Sequence, residues 1–306
     1  MKLTYSLFFG LIVSLFSLSL HSKEIAFTLD DSPRHAGGYF TGPERAKALL
    51  HELKTHHIEQ VAFFSVSKHL NNEGKARLKQ YSDAGHIIAN HTHSHPDFNK
   101  LSLAEYIADF TRADKALSHY PTFKKWFRFP YLREGDTQEK RDGFRQHLAQ
   151  QGYFNAYITA NNYDWYIESL FQRSVANKEA IDFEQLKAFY LDVMIAGIDY
   201  YDELAVKHLG RSPKHVLLMH EMDITALFIG DLADELRKRG WTIIPPERAF
   251  QDDIAHFQYE KPARFNPGRI GEIARTKGQK KGLWHSTLEE SWLEAQYLKR
   301  VIKPAK

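Results

Sequence analysis

Short apolar strands alternate with longer amphipathic helices through residues 24–250, and this alternation limits the possible folds more than any other feature of the sequence. The predicted strands include residues 25–30, 60–66, 86–90, 126–131, 153–159, 214–220 and 241–244. Repeated βα units predict parallel strands joined by crossover helices, and wholly apolar runs are typical of strands buried on both faces. The expected fold class is α/β, a distorted, TIM-like (β/α) barrel of seven or eight strands with a C-terminal helical extension.

The N-terminal segment, residues 1–22, has the pattern of a targeting signal. Lys2 precedes the uncharged apolar run 6–20, and small Ser22 stands just before a charged pair. A membrane-spanning helix needs about 20 apolar residues, so the pattern favours a cleaved signal peptide, with an uncleaved N-terminal anchor as the alternative. We therefore expect an exported protein, periplasmic or secreted, with no stable membrane anchor after cleavage.

The C-terminal segment, residues 256–306, departs from the βα pattern. It carries 11 Lys and Arg residues against 5 Glu, which predicts a basic extension packed on a main domain of residues 23–255. Residues 286–302 are predicted to form one helix, with Ser286 and Glu289 spaced as a capping box. Retention of an anionic cell-wall polymer is the alternative role for this segment.

Composition excludes several classes of function. The chain has no cysteine, which excludes disulfides, thiolate metal sites and cysteine nucleophiles. A formal net charge of only +3 gives no basis for binding a polyanion, so no nucleic-acid partner is expected. The sequence does not indicate an oligomeric state.

Chemically active side chains follow two of the predicted strands. His91 and His95 lie in the sequence HTHSH directly after one strand, and imidazoles four residues apart can reach a single cation. Asp30 and Asp31 end the first strand, where two adjacent carboxylates are costly unless a metal or an arginine is near. The alternatives are two surface histidines and a solvated turn.

Three further motifs follow strands, so that the chain reads TLDDSP, HTHSH, RFPY, DW and LLMH in order. This set resembles the five motifs of the polysaccharide deacetylase family, which is carbohydrate esterase family 4 or the NodB-homology domain. The resemblance spans residues 24–250. One departure is Ser32, which stands where the family usually has glycine; if this position needs a positive φ angle, serine would be mildly strained there.

The resemblance implies a metal site with a neighbouring base. Asp31, His91 and His95 would bind one divalent metal, most often zinc, with cobalt or another first-row ion as alternatives. Asp30 would be the general base that takes a proton from the metal-bound water. Arg128 would hold Asp30 ionised and oriented.

The resemblance also implies an acid and a binding pocket. His220 would protonate the departing amine, and Asp164 would tune the pKa of His220. Tyr131 would donate its backbone N–H to the oxyanion. Trp165 and Leu218 would form the walls of the pocket for the acetyl methyl group.

The implied activity is hydrolysis of N-acetyl groups from GlcNAc-containing glycans, either chitin oligosaccharides or peptidoglycan, with release of acetate. Such an amide needs a nucleophile at neutral pH and a proton for the leaving amine. The alternatives are an O-acetyl esterase acting on a polysaccharide such as xylan and a catalytically silent carbohydrate-binding protein. Tyr39, Phe40, Trp165 and Tyr166 are expected as exposed aromatic residues near the rim, with core positions as the alternative. Glu221 and Asp223 are expected to line the groove.

Overall fold

The computed structural model describes residues 23–287 and 289–303. The predicted signal peptide therefore lies outside the described residues. No helix in the described part of the chain is long and apolar enough to cross a membrane.

A curled parallel sheet forms the centre of the molecule. Its seven strands, counted over the described residues, are β1 (Lys23–Ser32), β2 (Ala62–Ser65), β3 (Ile87–Asn90), β4 (Phe123–Phe127), β5 (Phe154–Asn155), β6 (Lys214–His220) and β7 (Trp241–Ile243). They lie in the order β5-β4-β3-β2-β1-β6, and β7 pairs with the beginning of β1. The side chains of β1 are almost all buried because β6 flanks one edge while β7 and β2 share the other.

The two edges of this sheet meet beyond β5. Ala160 bridges Leu217 of β6 in parallel, and the Leu218 N–H donates to the Ala160 carbonyl oxygen at 3.1 Å. Residues 153–159 were expected to form a full strand, but only Phe154 and Asn155 pair with β4, because the chain then crosses to β6. The predicted distorted (β/α) barrel is confirmed.

Helices surround the sheet and connect its strands. They are α1 (Gly42–Thr55), α2 (Asn72–Asp83), α3 (Leu103–Leu117), α4 (Gln138–Gln150), α5 (Asp164–Ala176), α6 (Phe183–Leu209), α7 (Asp223–Lys238), α8 (Pro246–Ala249), α9 (Arg269–Thr276) and α10 (Glu290–Arg300). Helix α1 begins with a capping box between Thr41 and Glu44. Helix α6 ends at Gly210, whose φ of 75° permits the left-handed turn that stops a helix.

The C-terminal segment packs against the outer helices, with α9 on α6 and α10 on α5 and α6. The Arg269 guanidinium donates to the Ile254 carbonyl oxygen at 2.6 Å and lies 4.2 Å from the Tyr157 ring. The last helix is shorter than predicted and starts at Glu290. The predicted cap at Ser286 is wrong, because the Glu289 carboxylate accepts the N–H groups of the first turn.

Candidate active site

The predicted catalytic side chains meet at the carboxyl ends of the strands. Asp30 and Asp31 lie near the end of β1, His91 directly follows β3, Arg128 directly follows β4 and His220 ends β6. Asp30 and His220 are also register partners across β1 and β6. Parallel strands place these ends at one rim of a barrel, where active sites of this fold class are built.

A carboxylate and two imidazoles form a cluster suited to a metal. Asp31 Oδ1 lies 3.6 Å from His91 Nε2 and 3.2 Å from His95 Nε2, and the ligand atoms are within 4.8 Å of one another. This carboxylate oxygen is buried and has no hydrogen-bond partner among the described residues. One oxygen and two nitrogen donors suit zinc or another first-row divalent ion and leave coordination positions open.

The surroundings of the cluster favour the protonation states in which these side chains can bind a metal. The Arg128 carbonyl oxygen lies 2.8 Å from His91 Nδ1, so Nδ1 is the donor and Nε2 presents its lone pair to the cluster. Burial lowers the pKa of His91 to about 3, which keeps the imidazole neutral. Burial would raise the pKa of Asp31, but the imidazoles of His95, His220 and His91 lower it overall, so Asp31 is a carboxylate.

Left-handed backbone occurs at two of the three candidate ligands and at Thr92 between the two histidines. Asp31 has a φ of 67°, Thr92 of 70° and His95 of 56°, values that are uncommon for residues other than glycine. Ser32 does not have a positive φ, so the strain considered for its replacement of glycine is absent. Ser32 instead ends β1, and its hydroxyl lies 2.9 Å from the Ser65 hydroxyl.

Asp30 is buried and held by an arginine. Arg128 Nη1 donates to Asp30 Oδ1 at 2.8 Å and to Thr28 Oγ1 at 2.8 Å, and its Nε donates to the Ala156 carbonyl oxygen at 2.9 Å. Burial raises the pKa of Asp30 to about 6, against the opposing charge of Arg128. Asp30 can therefore exchange a proton near neutral pH.

His220 is paired with the carboxylate of Asp164, the first residue of α5. Asp164 Oδ1 lies 2.8 Å from His220 Nδ1, and Oδ2 accepts the His220 backbone N–H at 2.8 Å. Burial opposes the imidazolium charge, but Asp164 and the aspartates at the end of β1 outweigh it and raise the pKa of His220 to about 9. The His220 imidazole is thus protonated at neutral pH.

Polar side chains that the sequence analysis did not identify hold the turn of the two histidines. Asp109 of α3 accepts the N–H groups of His93 at 2.8 Å and Ser94 at 3.0 Å. Asn90 Oδ1 accepts the Thr92 N–H at 2.8 Å. Asn90 adjoins the motif and was detectable in the sequence, whereas Asp109 is one of several acidic residues on a polar helix face.

Arg34 was also not identified from the sequence. Its Nη1 donates to Asp31 Oδ2 at 3.0 Å, so the two oxygens of Asp31 face different groups. This contact orients the Asp31 carboxylate and leaves Oδ1 toward the imidazoles.

A buried charged network holds the loop 33–40 that carries Arg34. Glu221 accepts from Arg77 Nη1 at 3.0 Å and from the Arg34 backbone N–H at 2.6 Å. Asp223 accepts from Arg45 Nε at 2.6 Å. Both carboxylates are completely buried, so the prediction that they line the groove is wrong. They face inward, toward the backbone N–H groups of this loop and the guanidinium groups of Arg45 in α1 and Arg77 in α2.

A groove runs from Asp31 and His95 toward α5. Trp165 lines it and is 37% exposed, whereas Leu218 is 6% exposed and packs in the core. The Tyr131 ring lies beside the cluster, 4.6 Å from the His95 ring. Of the further rim candidates Tyr39 is exposed, whereas Phe40 and Tyr166 are half-buried against the core.

Two curated proteins match part of this chain. A peptidoglycan-N-acetylglucosamine deacetylase of Bacillus cereus is 28% identical over 117 residues, which are 38% of this chain and 39% of that protein. A chitin deacetylase of Colletotrichum lindemuthianum is 30% identical over 112 residues, 35% of this chain and 42% of that protein. The chain thus spans about two fifths of the length of these relatives.

A solved structure and a family model extend the comparison. A family 4 carbohydrate esterase from Streptomyces lividans, in complex with acetate, shares the fold with a TM-score of 0.50 at 20% identity, covering 74% of this chain and 95% of that one. The model described as polysaccharide deacetylase matches residues 18–153, a range that contains the first three motifs. Through this region the chain is similar to the polysaccharide deacetylase family.

Proposed function

We propose that this protein removes N-acetyl groups from GlcNAc-containing glycans by metal-dependent hydrolysis and releases acetate. The observation that carries the proposal is the Asp31–His91–His95 cluster at one barrel rim, together with the Asp30–Arg128 and His220–Asp164 pairs. The names of the two curated relatives support chitin oligosaccharides or peptidoglycan as the substrate.

Asp31, His91 and His95 would hold the metal, and we propose zinc, with cobalt or another first-row ion as alternatives. The unpartnered Asp31 oxygen beside two imidazole nitrogens supports this fit. When bound, such an ion lowers the pKa of a water and polarises a carbonyl oxygen.

The neighbouring pairs would carry the protons. Asp30 accepts the proton of the attacking water, and Arg128 holds the Asp30 carboxylate in place. His220 then donates a proton to the amine nitrogen as the C–N bond breaks, and Asp164 keeps the imidazole protonated. Both transfers are needed because a neutral amide nitrogen is a poor leaving group.

Three residues are proposed to shape the reacting position. The Tyr131 backbone N–H would stabilise the negative charge on the acetyl oxygen, which the contact of its ring with His95 supports. Trp165 would cover the sugar on the groove side. Leu218 would form the apolar back of the acetyl pocket, consistent with its burial beside Thr28 in the sheet.

We also propose that the protein is exported to the periplasm or secreted. The support is the charged, apolar and small-residue pattern of residues 1–22. Both proposed substrates are glycans found outside the cytoplasm.

Acetate release from three substrates tests the proposed activity. We expect the purified protein to release acetate from chitin oligosaccharides or peptidoglycan in preference to acetylated xylan. The control is His220→Gln, which removes the proposed acid and should abolish release. Acetate from acetylated xylan alone would favour the O-acetyl esterase, and no acetate from any of the three would favour a silent binding protein.

A further inference from the structure

We infer that Phe265, in the C-terminal segment, stacks on a sugar of the glycan beyond the one that is deacetylated. This inference rests on the proposed function. It assigns a substrate contact to a part of the chain that lies outside the family-matching region 18–153.

A continuous row of ring and guanidinium contacts leads from the metal cluster to Phe265. The Tyr131 ring lies 4.6 Å from the ring of His95. The Arg133 guanidinium carbon lies 5.3 Å from the Tyr131 ring and 5.2 Å from the Phe265 ring. We call Tyr131, Arg133 and Phe265 the rim platform.

The rim platform is fixed to the loop that carries the metal ligands. Asn99 Nδ2 donates to the Arg264 carbonyl oxygen at 3.1 Å, which joins the C-terminal segment to the loop after His95. Arg133 forms an ion pair with Asp97 of the same loop. Phe265 is therefore held in a defined position beside the active site.

The rim platform presents apolar faces to solvent. Tyr131 is 56% exposed and Phe265 is 54% exposed, although most aromatic side chains in the described part of the chain are buried. Exposed apolar surface beside a binding groove marks a place where a ligand is covered on binding. The guanidinium between the two rings offers several N–H donors in one plane.

A pyranose ring fits this combination of surfaces. Its C–H faces are apolar and pack on an aromatic ring, whereas its hydroxyl groups project sideways and accept hydrogen bonds. The groove lined by Trp165 leaves the cluster in the direction of α5, and the rim platform extends from the His95 and Tyr131 side. A glycan longer than the reacting unit would reach Phe265, whereas a short one would not.

The test compares oligosaccharide length by binding calorimetry. It uses the chitin disaccharide and tetrasaccharide with the full chain carrying Asp30→Asn, which limits turnover. We expect an added Phe265→Ala to weaken tetrasaccharide binding about 3- to 10-fold, the range of a single aromatic contact, and to leave disaccharide binding unchanged. Phe265→Trp should retain tight binding, because an aromatic face remains.

Trp284→Ala is the matched control. Trp284 is an exposed aromatic residue of the same segment, 40% exposed, and lies against Arg275 of α9. The Trp284→Ala variant should bind the disaccharide and the tetrasaccharide with unchanged affinity. A thermal melt of each variant tests whether folding is intact.

Three results would overturn the inference: equal weakening for both oligosaccharides, unchanged tetrasaccharide affinity in Phe265→Ala, or no tetrasaccharide binding when Phe265 is present. A different result would contradict the proposed function and leave this inference intact: the wild-type protein would bind the tetrasaccharide through Phe265 but release no acetate from it.

Discussion

Asp30 and Asp31 are adjacent in the chain, but their carboxylates lie in different surroundings. Burial raises the pKa of Asp30 to about 6, whereas neighbouring imidazoles lower the pKa of Asp31. Environments that separate the pKa values of two like groups give those groups different tasks. This difference supports Asp31 as the ligand and Asp30 as the base.

Asp30→Asn tests this division of tasks. The amide keeps the shape of the side chain but cannot accept the proton, so turnover should fall about 10²- to 10⁴-fold, the usual contribution of general base catalysis. Metal content, measured by elemental analysis, should be retained. If Asp30→Asn loses the metal and Asp31→Asn keeps it, the two roles are reversed.

The pH dependence of activity tests the pairing of His220 with Asp164. Their contact holds the proton on His220, whose pKa is raised to about 9, so activity should persist above neutral pH and fall as pH rises through this range. Asp164→Asn removes the negative charge that favours the imidazolium. The alkaline limb of the pH–rate profile should therefore move to lower pH.

The pH–rate profiles of the wild type and of Asp164→Asn should differ mainly on the alkaline side, because the acid limb reports the titration of groups other than His220. Interacting groups titrate together, so the shift between the variant and the wild type is the quantity to measure. An unchanged alkaline limb in an Asp164→Asn protein that is still active would exclude Asp164 as the partner of His220.

Among the structural elements, the turn after β3 depends on a side chain from a neighbouring helix. Thr92 and His95 have left-handed backbone. Asp109 of α3 accepts hydrogen bonds from the two N–H groups between them, those of His93 and Ser94. The His95 N–H also donates to Thr92 Oγ1 at 3.0 Å. The geometry of the two candidate histidine ligands thus depends on a helix that contributes no candidate ligand.

Asp109→Ala should weaken metal binding about 10- to 100-fold, the usual effect of removing a residue that orients a metal ligand. The measurement is metal affinity in a competition with a chelator. Asp83→Ala, which removes an exposed acidic residue of α2 paired with Lys79, is the matched control. Equal metal affinity in the two variants would show that Asp109 does not position the turn.

The sequence predicted the elements better than their ends and the contacts between them. Apolar runs identified β1, β2, β3 and β6, because a buried parallel strand leaves a local pattern. The short β5 and the bridge from Ala160 to β6 could not be predicted from a local sequence pattern, because they form where the two edges of the curled sheet meet. The placement of Glu221 and Asp223 in the groove was predicted wrongly for a similar reason, because the arginines that pair with their carboxylates are distant in sequence.

At the scale of the whole molecule, the candidate site draws on regions far apart in the chain. The family-matching region 18–153 contains the candidate metal ligands and Arg128, whereas Asp164 and His220 lie beyond it. The sequence motifs predicted both residues at strand ends; the barrel brings His220 at the end of β6 beside Asp164, which lies at the start of α5. Phe265 had no motif, and only the packing of the C-terminal segment places it at this rim.

Removal and return of the metal tests the central proposal, metal-dependent deacetylation, most directly. The purified protein should contain about one divalent ion per chain, and acetate release from chitin oligosaccharides should disappear with the ion on chelation and return on adding zinc or cobalt. His95→Ala should lack both the ion and the activity under every condition. Full acetate release by a chain shown to be free of metal would contradict the account.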